Sequence, residues 1–221
     1  MRIHPTAVIG PGVEFGIDVV VGPHAVVLGP CRIADGVRIG PLCVIGSPPE
    51  LTTAAQNAAW DDELMHAGVE VGAGTILREA TTVQQGADTA TRIGSGCWLL
   101  SRSYVAHDCV LEDGVTTSAG VAVGGRSHIG RGATLGMNAT VHQRRVVGPG
   151  AMVGMSSAVT RNVPPYAKVY GTPARMHGAN VVGMTRHGVG ADGAAAVDTA
   201  YAAEREPEVA TLVDPVLVAA W

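Results

Sequence analysis

Apolar residues recur in this chain at every sixth position, and that period limits the possible folds more than any other feature. The register runs from Ile9 through Phe15, Val21, Val27, Ile33 and Ile39 to Ile45, resumes at Val71, Leu77 and Val83, and runs again from Ile93 to Val159. Thr117 is the one polar member of the last run. A period of six fits neither the 3.6 of an amphipathic helix nor the two of a half-buried strand, and it predicts a parallel β-solenoid with three hexapeptides to each triangular coil. Residues 18 apart then stack on neighbouring coils at about 4.8 Å, the spacing of paired strands. With 30 Gly and only 4% aromatic residues, the composition suits short strands and tight turns rather than a helical bundle.

The expected fold is therefore all-β: a left-handed parallel β-helix of hexapeptide repeats over 1–166. A short, partly helical C-terminal extension follows over 167–221, with helix from about Asn180 covering an end that would otherwise expose unpaired strand groups. The Gly or small residue after most of the apolar positions is expected to allow the sharp corner of each coil. Two breaks in the register, at 47–69 and 84–91, read as loops leaving the prism, and loops on a rigid scaffold often carry function.

The opening residues Met1-Arg2-Ile3-His4-Pro5 lack the apolar run of a secretory signal, and no stretch reaches membrane-spanning length, so the expectation is a cytoplasmic protein with no membrane span. The net charge of −4 argues against a general nucleic-acid binder. Its distribution is more informative: 121–190 contains eight Lys and Arg and no Asp or Glu, a balance of +8, leaving −12 on the remainder. That segregation suggests a landing site for an anionic partner. Cys31, Cys43, Cys97 and Cys109 each lie two positions before a core residue, which makes them buried reduced thiols rather than disulfides or ligands. The histidines lack the close pairing a shared zinc would need, so no metal is expected.

His107 differs from the other histidines. Asp108 follows it, Gly125 lies 18 residues on and Gln143 a further 18, so the stacking rule places Gly124-Gly125 on the coil above an imidazole. A base near neutral pKa beside exposed backbone N–H groups is what acyl transfer requires, the base for the acceptor's proton and the donors for the oxyanion.

Five segments then carry a resemblance: Ile3-His4-Pro5-Thr6-Ala7, Val105-Ala106-His107-Asp108-Cys109, Thr140-Val141-His142-Gln143, Val163-Pro164-Pro165-Tyr166, and Asn180 with Gly183. Together they resemble the bacterial acyl-carrier-protein:UDP-N-acetylglucosamine O-acyltransferases, over about 3–190. The resemblance implies a homotrimer with sites between neighbouring prisms and no permanently bound cofactor. The donor would be the phosphopantetheine thioester of acyl carrier protein, or of CoA, and acyl carrier protein would be the partner of the positive segment. It implies His107 as general base, Asp108 as its orienter and the Gly124 N–H as oxyanion donor. His142 and Gln143 would line the cleft, Asn180 and Arg186 would reach ligand across the interface, and Met155 would close the acyl groove, favouring short or medium chains. Glu63, Tyr104 and Gly125 complete the expected substrate contacts. Met65 stands where the family has a Lys, and Gln84, Tyr104 and Gly125 stand where it has cleft histidines; Val182 and His187 replace a Glu and an Arg. Losing the Lys opposite a diphosphate removes a charge-assisted contact, so these departures point away from UDP-N-acetylglucosamine itself and toward a hydroxyl or amine of a related sugar, sugar-nucleotide-like or other small-molecule acceptor.

Overall fold

The computed structural model describes residues 1–54, 56, 66–203, 205–207 and 214–220. Short strands, mostly of two or three residues, follow one another around a three-sided prism. The chain passes from a first sheet to a second, then to a third, and back to the first one coil higher. The first sheet has ten strands, the second eight and the third seven. Every pairing between coils is parallel, and the register follows the stacking rule: Ile3 pairs with Val21, Val105 with Val123, and Leu111 with Ile129. Across the breaks the spacing stretches, with Ile39 beside Leu77 and Leu77 beside Leu99. The two breaks thus insert extra chain without displacing the strands on either side.

The six-residue register is the core. Val27, Ile45, Leu77, Leu99, Val105, Val123, Ile129 and Leu135 are fully buried, and Thr117 is buried in line with them. The Thr117 hydroxyl shares a 2.8 Å hydrogen bond with Ser103, so the one polar member of the column does not leave an unpaired polar atom inside. Ile9 and Phe15 are only partly buried, because the first coil has a neighbour on one side alone.

The glycine after each apolar position has a different role from the one expected. The residue that turns the corner in the left-handed region lies three after the core residue, as at Gly114 (φ 69°) after Leu111, and it is often not glycine, as at Asp108 (φ 57°). The glycine directly after the core residue is needed for close approach instead. A Cβ on Gly130 would stand 2.5 Å from the Pro149 nitrogen, and one on Gly136 2.6 Å from the Met155 nitrogen. Any side chain there would push successive coils apart.

The last part of the chain begins with a hairpin rather than a helix. Ala167–Tyr170 continues the first sheet in parallel and Arg175–Ala179 pairs back against it antiparallel, covering that edge. Helices α1 (Val181–Arg186), α2 (Ala191–Ala202) and α3 (Pro215–Val218) follow. Met184, Val197, Tyr201 and Leu217 are buried with the solenoid core, and Tyr201 Oη donates to Pro165 O at 2.6 Å. No helix among the described residues is long and apolar enough to cross a membrane.

All four cysteines are free and buried. Burial pushes the Cys31 and Cys109 thiols up to about 12 and the Cys43 thiol up to about 11, so the reactive thiolate is scarce at neutral pH. A thiol-reactive probe at pH 8 is expected to label none of the four in the native protein and all four after unfolding in denaturant. Rapid native labelling would show that the inward slot opens.

Candidate active site

One corner of the prism differs from the other two. Where the second sheet gives way to the third, successive coils present residues 106–108, 124–126, 142–144 and 160–162. Both breaks in the repeat also leave from this corner, the first between Val44–Ser47 and Val69–Val71, the second between Thr82–Gln84 and Thr91–Ile93. They fold toward the same coil. Glu50 N donates to Gln84 Oε1 at 3.3 Å, the same oxygen accepts from His107 N at 3.3 Å, and Tyr104 Oη donates to Glu50 Oε2 at 2.9 Å. Gln84 is thereby a buried tie between loop and coil.

His107 and Asp108 occupy the corner itself, only 6% and 9% exposed. His107 Nδ1 lies 2.7 Å from Asp108 Oδ2. The other carboxylate oxygen accepts main-chain N–H groups from Asp88 at 2.8 Å and Thr89 at 2.9 Å, while Asp108 N donates to Thr91 Oγ1 at 2.9 Å. Burial opposes ionisation of Asp108, but the Thr89 N–H, the His107 ring and the Asp88 N–H outweigh it and hold the carboxyl below its ordinary range. A carboxylate only accepts, so Nδ1 carries the proton in this contact, and in the neutral ring the lone pair is then on Nε2.

Directly above that ring is Gly125. A Cβ on it would stand 2.5 Å from His107 Nε2, so the absence of a side chain is what makes room for the imidazole beneath it. Here the expectation for Gly124 is corrected. Its N–H donates to Val141 O at 2.9 Å and is consumed by the ladder between coils. The Gly125 N–H has no acceptor among the described residues, which makes it the donor available beside Nε2.

The other expected site residues divide between corners. His142 and Gln143 stand on the His107 corner, exposed, two coils above it. Met155 is 71% exposed but stands where the first sheet passes to the second. Asn180 and Arg186 belong to α1, beside the corner between the third sheet and the first. The Asn180 side chain caps α1 by accepting from Gly183 N at 3.1 Å and donates to Gly150 O at 2.9 Å, so it anchors the helix to the last coils. Arg186 ends α1 and is exposed. Glu63 and Met65 lie outside the described residues. No cluster of three or more metal-ligating side chains occurs among the described residues. Sequence reasoning missed the partners of Asp108 in the second loop, and also Arg126, whose position 18 after Asp108 was the available signal.

A fold with this corner is found in a known group of enzymes. Residues 90–125 match the bacterial transferase hexapeptide model and 162–211 match domain 2 of UDP-N-acetylglucosamine O-acyltransferase. The acyl-carrier-protein:UDP-N-acetylglucosamine O-acyltransferase of Agrobacterium fabrum is 34% identical over 209 residues, covering 85% of this chain and 74% of that protein. The corresponding Thiobacillus denitrificans enzyme is 32% identical, covering 90% and 82%. The chain belongs to this acyltransferase family. Among solved structures, the UDP-N-acetylglucosamine O-acyltransferase of Moraxella catarrhalis superposes with a TM-score of 0.70 at 28% identity, over 91% of this chain and 83% of that one. The Campylobacter jejuni UDP-N-acetylglucosamine acyltransferase has the same fold, with a TM-score of 0.79 at 24% identity over 90% and 83% of the two chains. The chain is accordingly an acyltransferase.

For an acyltransferase of this family, the Gly125 contact gives a direct test. In Gly125→Ala the imidazole must rotate away from the new methyl, breaking its alignment with Asp108. A displacement of about 1 Å at a reacting group costs about 10²-fold in rate, and acyl transfer should fall on that scale while the circular dichroism spectrum and melting temperature stay near wild type. Full activity in the folded variant would show that the ring does not work in this position.

Proposed function

We propose that the enzyme moves an acyl group from an acyl-carrier-protein thioester to a hydroxyl or amine of a sugar or sugar-nucleotide-like acceptor, with His107 as general base. The observation that carries this reading is the Nε2 lone pair of His107 beneath the unclaimed Gly125 N–H, at the corner where both loops emerge. Nε2 removes the acceptor's proton as its oxygen or nitrogen attacks the thioester carbon. The Gly125 N–H holds the oxyanion that forms. Collapse breaks the carbon–sulfur bond, and the departing thiolate takes the proton back from the imidazolium. Asp108 keeps the ring in the required tautomer and balances its transient positive charge. UDP-N-acetylglucosamine is the acceptor named by the relatives and the first to test, and an amino-sugar version of it is the second.

Surface chemistry supports a trimer. The lower coils of the third sheet face outward with paired charges, Glu14 with Arg32 and Glu70 with Arg92, and Val146 is the large apolar side chain exposed on its upper coils. The first and second sheets expose Trp98, Val8 and, at their shared corner, Leu42, Met137 and Met155. Packing the first sheet of one copy on the second sheet of the next covers these apolar groups and brings Arg186 of a neighbour to the His107 corner. Between His107 and Met155 the outward face of the second sheet carries only Ala122, Thr140 and Ala158. That is a path of small side chains for an acyl chain, with Met155 at its far edge.

In His107→Ala, transfer should fall by about 10²- to 10⁴-fold, the range for losing a general base, with the oligomer intact by size-exclusion chromatography. Product formation from acyl-carrier-protein thioesters, followed by mass, checks this, and near-normal turnover overturns the mechanism.

Arg144 and Arg161 are exposed above the base and have no carboxylate partner among the described residues. Charge reversal at either should raise the KM for acyl carrier protein, and the difference from wild type should shrink as salt shortens the screening length below about 8 to 10 Å. An unchanged KM would remove this corner as the carrier-protein landing site.

A further inference from the structure

The dyad depends on a loop that has no ladder to hold it. Asp108 is aimed by two main-chain N–H groups, those of Asp88 and Thr89, and both lie in the second break, where the strand pairing is interrupted. The base of that loop is fastened: Gln85 Nε2 donates to Gly29 O at 2.7 Å and Gly46 O at 2.9 Å, and Gly86 bridges Gly68. Besides those bonds to Asp108, its tip is tied by Arg126 Nη2 donating to Asp88 Oδ2 at 2.5 Å. Arg126 Nε also lies 3.7 Å from Asp108 Oδ2. Arg126 comes 18 residues after Asp108, and the two share the left-handed corner conformation, at φ 59° and 57°. Their side chains therefore leave successive coils at equivalent points.

We propose that Arg126 and Asp88 are a positioning pair for the catalytic dyad, an inference that rests on His107 being the base. Two carboxylates, of Asp88 and Asp108, meet at one guanidinium. Without the cation they would repel, and the simplest relief is for the loop tip to swing outward, taking the Asp88 and Thr89 N–H groups off Asp108. The carboxylate would then be free to rotate and the imidazole would lose its fixed partner. Arg126 thus acts through Asp108 rather than on the substrate. The cationic fork has a geometric role as well, since one arm reaches the loop while Nε stays over the dyad.

The test compares Arg126→Gln, Asp88→Asn, their double variant, Arg126→Lys and the swap Asp88→Arg/Arg126→Asp, each assayed beside His107→Ala. Each single neutral variant is expected to lose about ten- to a hundredfold in kcat, the scale of a small misplacement at the reacting group, with both KM values little changed. The double variant should be no worse than Arg126→Gln, because both remove the same device. Lys should restore part of the loss. The swap should not, since it rebuilds the 88–126 attraction but sets a carboxylate over Asp108. Asp88→Asn alters a mostly exposed, near-isosteric side chain, so it keeps the test open if Arg126→Gln unfolds. Wild-type kcat in the neutral variants with His107→Ala inactive would overturn the pair alone. A raised acceptor KM confined to Arg126→Gln would overturn it too, making Arg126 a contact to substrate anion. Activity in His107→Ala would remove the general-base reading and this inference with it.

Discussion

Main-chain hydrogen bonds between coils stacked one strand spacing apart organise this molecule, and they form only because nothing intrudes between successive coils. Where a glycine follows the core residue, it is one means. At Gly130 and Gly136 the next coil's backbone occupies the space a methyl group would need. Once the coils approach this closely, the apolar column closes inside the prism and each residue's neighbours are set by an offset of 18. Gly125 serves a related purpose, since the space its side chain would fill is taken by the His107 ring.

A parallel ladder leaves few main-chain groups for other work. The Gly124 N–H is spent on Val141, as nearly every equivalent group is, whereas the residue turning away into the corner keeps its N–H. Chemistry accordingly collects at a corner, where the backbone stops pairing, and at the corner where two loops break the repeat. Those loops are tied into the corner. Gln84 joins the first loop to the coil of His107, and the second supplies two of the hydrogen bonds on Asp108. The His107–Asp108 pair is thus held partly by the rigid prism and partly by segments outside it.

The residues proposed for the site are spread over all three corners of one chain. His107, His142 and Gln143 stand on one, Met155 on another and Arg186 near the third. A single prism cannot bring them together, but copies packed through the two apolar sheets can, which is the physical argument for a shared site. The charged ladder of Glu14, Arg32, Glu70 and Arg92 marks the face left to solvent.

The sequence alone determined the solenoid, the position of each core residue, the buried thiols, the two loops and the stacking of Gly125 on His107, since all of these follow from a period of six and an offset of 18. Periodicity is a local property, and it can be counted. It could not reveal which N–H remains free above the base, because that depends on whether Val141 O lies in reach. Nor could it show that the glycines serve close approach rather than turning, that Asn180 spends its amide on capping α1, or that the extension opens with a hairpin. The hold of Arg126 on Asp88, 38 residues away, was equally hidden. These features were decided by tertiary structure, because each depends on distances between segments whose separation in the chain is irregular: the loops insert different lengths, and no repeat records where their side chains come to rest.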